Sequence, residues 1–167
     1  NNYKTHDGSP CYIKYPALWQ SAIANKNYLI VRNTKVSMPG GSYFAGNIVF
    51  ENCEIEQATL AAASEKILFK NCQLKLTNNL MISWRDELES CVFDSCVLTR
   101  ASNQYIYIYR QTGSTGRPRF KFNNCTFIGN VETDGYFVRQ HAEGSVFNNA
   151  GQGHFYSHCI FINTGGT

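Results

Sequence analysis

The sequence predicts an all-β fold of stacked repeats, and three observations carry that prediction. One eight-residue pattern recurs six times in 167 residues. Apolar residues in each copy alternate with period two, and the alternation breaks phase at one fixed place. The residue at the break is most often Asn. Self-similarity of this kind belongs to architectures whose units bury their apolar faces only against their neighbours.

The copies read Leu29-Ile30-Val31-Arg32-Asn33-Thr34-Lys35-Val36, Ile48-Val49-Phe50-Glu51-Asn52-Cys53-Glu54-Ile55 and Ile67-Leu68-Phe69-Lys70-Asn71-Cys72-Gln73-Leu74. Three more follow: Cys91-Val92-Phe93-Asp94-Ser95-Cys96-Val97-Leu98, Phe120-Lys121-Phe122-Asn123-Asn124-Cys125-Thr126-Phe127 and His154-Phe155-Tyr156-Ser157-His158-Cys159-Ile160-Phe161. Numbered from the Cys (or Thr34) as position 0, apolar residues occupy −5 and −3, then 0 and +2. Period two on each side means two short strands, each with one buried face, and assigns −4, −2 and +1 to solvent. Between −3 and 0 the chain has to bend. Position −1 is Asn33, Asn52, Asn71 and Asn124, with Ser95 and His158 in the other two copies. Asn tolerates the left-handed conformation that a two-residue corner requires.

Stacked on one another, those Asn side chains would form a ladder. The pattern resembles the right-handed parallel β-helix in its pectate-lyase-like form, over residues 29–163. The expected fold is a single-stranded right-handed parallel β-helix of about six coils across 29–167, preceded by an N-terminal segment and capping helix over 1–28. An amphipathic helix does not produce two period-two runs separated by a kink.

Before the first copy, residues 1–15 are polar and read as irregular, with Asp7-Gly8-Ser9-Pro10 a turn signal. In 16–25, Leu18, Trp19, Ala22 and Ile23 fall on one helical face, and Pro16 suits a first helical turn. Laid across the first coil, that helix would blunt an open strand edge. An ordinary core helix has the same pattern.

Successive position-0 residues lie 19, 19, 24, 29 and 34 apart. The corner is constant, so the added chain belongs to the long turns around a third strand. Loops on a repeat scaffold gather on one face, usually the binding face. Third strands are expected at 80–86, 105–111 and 136–141 from their apolar content. The chain begins at Asn1 and ends on Thr164-Gly165-Gly166-Thr167 after a strand, with no sign of a C-terminal cap. A piece of a longer protein, or an edge covered by a partner subunit, would read this way.

Seven cysteines in a small protein usually suggest disulfides. Here Cys53, Cys72, Cys96, Cys125 and Cys159 share one inward position and should stack as a column of buried thiols. The odd count and the absence of a CxxC pair predict reduced structural thiols and folding in a reducing cytosol. A net charge of +3 is too mild to imply nucleic-acid binding. No apolar run suits membrane insertion. His6, His141, His154 and His158 lack metal-ligand spacing, and no P-loop, GxSxG or GxGxxG occurs, so neither a metal nor a cofactor is expected.

Three chemistries compete for the long-loop face. Trp84, Tyr105, Tyr107 and Tyr109 with Arg85, Arg110 and Arg139 suit an acidic saccharide: rings stack on sugars and guanidinium forks bind carboxylates or phosphates. In this reading the three Arg residues form a ladder, with Arg117 and Arg119 in a nearby loop. Strict alternation from Ile106 and Ile108 would bury Arg110; ending the strand at Tyr109 would place it in the turn, the preferred register because an unpaired buried Arg is costly. Glycoside hydrolysis would need paired carboxylates, for which Asp86, Glu132 and Asp134 are the candidates beside Glu87, Glu89 and Glu143. Lyase chemistry would need a base beside a uronate, often with calcium.

Among pectate-lyase-fold proteins the repeated Phe-x-Asn-Cys corners and expanding loops resemble polysaccharide lyases, pectin-modifying enzymes and phage tailspikes. No catalytic residue of those enzymes is matched by a motif here. With the free cysteines and fragment-like ends, the resemblance implies a tailspike-like domain of a virion tail, homotrimeric, folded in the host cytoplasm, binding and possibly cleaving a bacterial surface polysaccharide. A structural or trimerisation segment of a tail fibre, and a lyase or glycoside hydrolase, are the alternatives.

Overall fold

Strands with one dry face must be stacked edge to edge if their backbone groups are to pair. The computed structural model meets that demand with three sheets. It describes residues 3–7, 11–12, 28–37, 47–57, 59–60, 66–76, 80–84, 90–100, 106–110, 119–129, 138–142 and 153–165.

The chain begins with β1 (Tyr3–Asp7), β2 (Cys11–Tyr12), β3 (Tyr28–Arg32) and β4 (Lys35–Ser37). There follow β5 (Asn47–Glu51), β6 (Glu54–Gln57), β7 (Thr59–Leu60), β8 (Lys66–Lys70), β9 (Gln73–Leu76) and β10 (Leu80–Trp84). Next come β11 (Ser90–Asp94), β12 (Val97–Arg100), β13 (Ile106–Arg110) and β14 (Arg119–Asn123). The last four are β15 (Thr126–Gly129), β16 (Val138–Ala142), β17 (Gly153–Ser157) and β18 (Ile160–Asn163).

The first sheet runs β1-β3-β5-β8-β11-β14-β17, the second β2-β4-β6-β9-β12-β15-β18 and the third β7-β10-β13-β16. Each strand pairs in parallel with its counterpart one circuit away. From β5 onward the chain visits first, second and third sheet in rotation. The described residues are therefore all-β and parallel, a topology compatible with a parallel β-helix, and they contain no helix.

One N-terminal finding differs from expectation. Residues 3–7 and 11–12 are strands, so β1 and β2, rather than β3 and β4, are outermost in their sheets. In register, Lys4 and His6 stand beside Leu29 and Val31. Polar residues at those positions erase the apolar alternation that reveals the other copies, and on an edge strand they discourage further pairing. Residues 16–25, read as a capping helix, lie outside the described residues.

At the corner, Asn33, Asn52, Asn71, Ser95, Asn124 and His158 all take φ between 52° and 55°. This left-handed residue lets the chain turn from the first sheet to the second within two residues. Backbone pairing continues through it. Each −1 amide donates to the −2 carbonyl of the next copy, as Asn71 N does to Asp94 O at 2.9 Å. Each +1 amide donates to the position-0 carbonyl of the preceding copy, as Val97 N does to Cys72 O at 2.9 Å. The Asn ladder is seen directly where Asn52 Nδ2 donates to Asn33 Oδ1 at 3.1 Å.

Equivalent positions form columns, buried through Phe122 and Phe127 and exposed at Tyr156 and Phe161 in the last copy. At −3, Phe50, Phe69, Phe93, Phe122 and Tyr156 stack with centroids 4.6–5.1 Å apart and planes within 13°. At +2, Phe127 and Phe161 stack at 4.6 Å. Burying one such ring contributes roughly 2–3 kcal/mol, and offset stacking adds about 0.5–1.5 kcal/mol. Cys53, Cys72, Cys96 and Cys125 are buried in their own column, all free, and Cys159 continues it half-buried.

The outer rows depart from simple alternation. Position −4, assigned to solvent, carries half-buried Ile30, Val49, Leu68 and Val92 on the first sheet. Beside it, −2 alternates in sign through Arg32, Glu51, Lys70 and Asp94, with Lys70 Nζ 3.2 Å from Glu51 Oε1. On the second sheet Glu54 accepts from Lys75 at 2.9 Å and pairs with Lys35 at 3.4 Å, and Lys35 also pairs with Glu56. Lys75 and then Lys35 hold the Glu54 carboxyl below its ordinary pKa despite some desolvation. Opposite charges on adjacent strands favour this register over a slipped one.

Candidate functional site

The connections around the third sheet lengthen along the stack, to residues 130–137 before β16 and 143–152 after it. Function on a repeat scaffold concentrates beside such connections. The strands between them form because Leu80-Met81-Ile82, Ile106-Tyr107-Ile108 and Val138 supply apolar and aromatic residues at the same register. Leu80, Ile106 and Val138 are direct partners in one row, and Ile106 is fully buried. Val138 packs half-buried against the same core.

That row fixes the others. Met81, Tyr107 and Arg139 are partners; so are Ser83, Tyr109 and His141, and so are Trp84, Arg110 and Ala142. By the two-residue repeat of a strand, Ile106, Ile108 and Arg110 belong to one face of β13, and Tyr107 and Tyr109 to the other.

The Arg ladder is therefore corrected. Arg110 pairs with Trp84 and Ala142, whereas Arg139 pairs with Tyr107, so the two guanidinium-bearing residues are not neighbours in register. Nor does the strand end at Tyr109: β13 continues through Arg110. A ladder requires the segments to align on their Arg residues, whereas the row of buried Ile106 sets the register. The topology brings together Tyr107 with Arg139 and Tyr109 with His141.

Arg85, Tyr105 and Arg117 lie outside the described residues, as do the carboxylates Asp86, Glu87, Glu89, Glu132, Asp134 and Glu143. Arg119 opens β14 and is exposed. Among the described residues, no group of three or more His, Cys, Asp or Glu is arranged to hold a metal, and no helix is long and apolar enough to cross a membrane.

One residue the sequence reading passed over is Arg100, at the end of β12 just before the connection to β13. The residue is only 5% exposed. Gly129 is its partner on β15, and a Cβ there would collide with Arg100 Cγ and come within 3.1 Å of the Arg100 carbonyl. The glycine thus leaves the volume that the arginine stem fills. A Gly one copy after an Arg, at the same register, is the signal that would have found it.

Compared with protein-family models, with curated proteins and with solved structures, the chain finds no match.

Proposed function

We propose that the chain is a pectate-lyase-like right-handed parallel β-helix, and that the outer face of its third sheet binds a bacterial surface polysaccharide, as a tailspike-like domain of a phage virion tail would. The fold half of this reading is supported by the left-handed corner repeated in every copy and by the rotation through three parallel sheets. The functional half rests on one observation: β13 and β16, beside connections that lengthen along the third sheet, set Tyr107 in register with Arg139. A Tyr in register with an Arg is the residue pairing an acidic sugar calls for, since a ring can pack on a sugar's C–H face and a guanidinium fork can take its anion.

A glycan array followed by a reducing-end assay tests it. Retention of glycans without new ends is the expected result. Retention with new reducing ends turns the reading toward a hydrolase or lyase, with Asp86, Glu132 and Asp134 in the connections beside this sheet as first residues to replace. Retention of no glycan would leave a spacer or trimerisation segment and defeat the proposal.

A further inference from the structure

We propose that Tyr107, Tyr109, Arg139 and His141 form a single subsite for one sugar unit bearing a carboxylate or phosphate, with the sugar over β13 and its anion over β16. The inference rests on the glycan-binding reading above and deepens it by naming the ligand's chemistry and its orientation.

Its basis is the juxtaposition of two register pairs. Tyr107 is the partner of Arg139, and Tyr109 is the partner of His141. All four belong to the face of the third sheet opposite the one that carries buried Ile106. Neighbouring strands are about 4.8 Å apart and alternate residues along a strand about 6.6 Å. The four residues therefore occupy a patch of the size of one pyranose and its substituent. The patch is divided by chemistry: both rings are on β13, and both nitrogen donors are on β16. Arg139 donates through a fixed fork, and His141 has at least one ring N–H to donate in either protonation state. Neither donor has a carboxylate as its register partner on β13. A neutral sugar would use only the β13 half; an anionic one uses both.

Rings beside cations also suit single-stranded nucleic acid, where bases take the place of sugars. The net charge of +3 and a patch one sugar unit in size, rather than a cationic track along the stack, favour the saccharide.

The test compares the wild-type chain with Arg139→Lys, His141→Gln and Tyr107→Ala, and with Lys66→Ala as a charge control on the first sheet. Probes are an oligogalacturonate, a phosphate-substituted mannose oligomer, neutral dextran and a single-stranded oligonucleotide, with a thermal melt of each variant alongside. The proposal expects an anionic oligosaccharide to bind at least tenfold more tightly than dextran. The uronate and phosphate arms distinguish which anion is taken. It further expects Arg139→Lys and His141→Gln each to weaken binding by about tenfold at unchanged melting temperature, a typical loss for a charge-assisted contact, with Lys66→Ala without effect. If Tyr107→Ala melts early, the two conservative variants decide alone. Anionic-glycan binding that survives Arg139→Lys and His141→Gln within twofold overturns this subsite and leaves glycan binding standing. Preference for dextran or for the oligonucleotide overturns the anionic-sugar assignment. No binding to any glycan, in these probes or on the array, overturns the subsite together with the reading beneath it.

Discussion

The Cys72 thiol lies 3.4 Å from the Phe50 carbonyl oxygen, 22 residues earlier in the chain, and 3.3 Å from the carbonyl of Lys70 in its own copy. The relation repeats from Cys53 to Val31 and Glu51, from Cys96 to Phe69 and Asp94, from Cys125 to Phe93 and Asn123, and from Cys159 to Phe122 and Ser157. Each sulfur fills an inward position immediately after the left-handed corner and has two acceptors within reach of its single hydrogen. Cysteine suits this place because it is small, apolar enough for the core, and loses little if the weak bond is not made.

The first prediction follows from Thr34, which holds the same position in the earliest copy and is 8% exposed. A hydroxyl is tolerated there. Cys72→Ser, able to donate to the same carbonyls, should cost less than Cys72→Ala, which empties a buried site and should lose about 1–2 kcal/mol. Urea unfolding of both variants checks the order.

A second prediction concerns alkaline pH. Cys91 is fully buried, and burial pushes its thiol pKa up. The folded state then holds the proton more tightly than the unfolded state, so this contribution is complete below the ordinary thiol value, about 8.5. It is lost as pH rises from there toward the folded value, at about 1.4 kcal/mol per pH unit. Between pH 8.5 and 10, wild type should lose more stability than Cys91→Val by that slope. Parallel curves for the two proteins would refute the assignment.

Ser95 is the weak rung of the corner column. It takes φ of 55° like its Asn counterparts, yet its short side chain bonds to Asp94 Oδ1 at 3.4 Å. Asn124 turns to that same oxygen, also at 3.4 Å. Ser95→Asn should restore the ladder and raise stability by about 0.5–1 kcal/mol, since Asn tolerates the left-handed region. Ser95→Val should lower it, because a β-branched residue is strained at positive φ. Thermal melts of the two variants should move in opposite directions.

Gly129 and Arg100 should be energetically coupled. Gly129→Ala forces the buried Arg100 stem aside and should cost about 1–3 kcal/mol. In the Arg100→Ala background the same change should cost much less, a coupling that a double-mutant cycle measures. Additive losses would mean that the glycine serves another purpose.

What the sequence made legible has a common cause. Asn33, Asn52, Asn71 and Asn124 perform one stereochemical task at one phase of the repeat, and Phe50, Phe69, Phe93 and Phe122 fill one column, so both features recur in plain view. β1 was hidden because Lys4 and His6 hold register positions that are apolar in most later copies. On the third sheet each strand is short and its connections vary, so the register could be found only from the row of Leu80, Ile106 and Val138. Aligned on arginine, Arg110 falls beside Arg139; aligned on the buried isoleucine, Arg110 falls beside Trp84 and Ala142, while Arg139 and His141 fall beside Tyr107 and Tyr109. Arg100 escaped notice because a polar residue after +2 reads as the start of a turn, and its burial depends on a glycine 29 residues later.

The fold depends on equivalent residues stacking in columns, and the cysteines report on that most directly. Thiol titration of protein denatured without reductant should find all seven cysteines free, whereas in native protein Cys53, Cys72, Cys91, Cys96 and Cys125 should react slowly and Cys159 ahead of them. Three disulfides in the denatured protein, or equal reactivity of Cys159 and Cys96 in the native protein, would contradict the stacked column and the fold built on it.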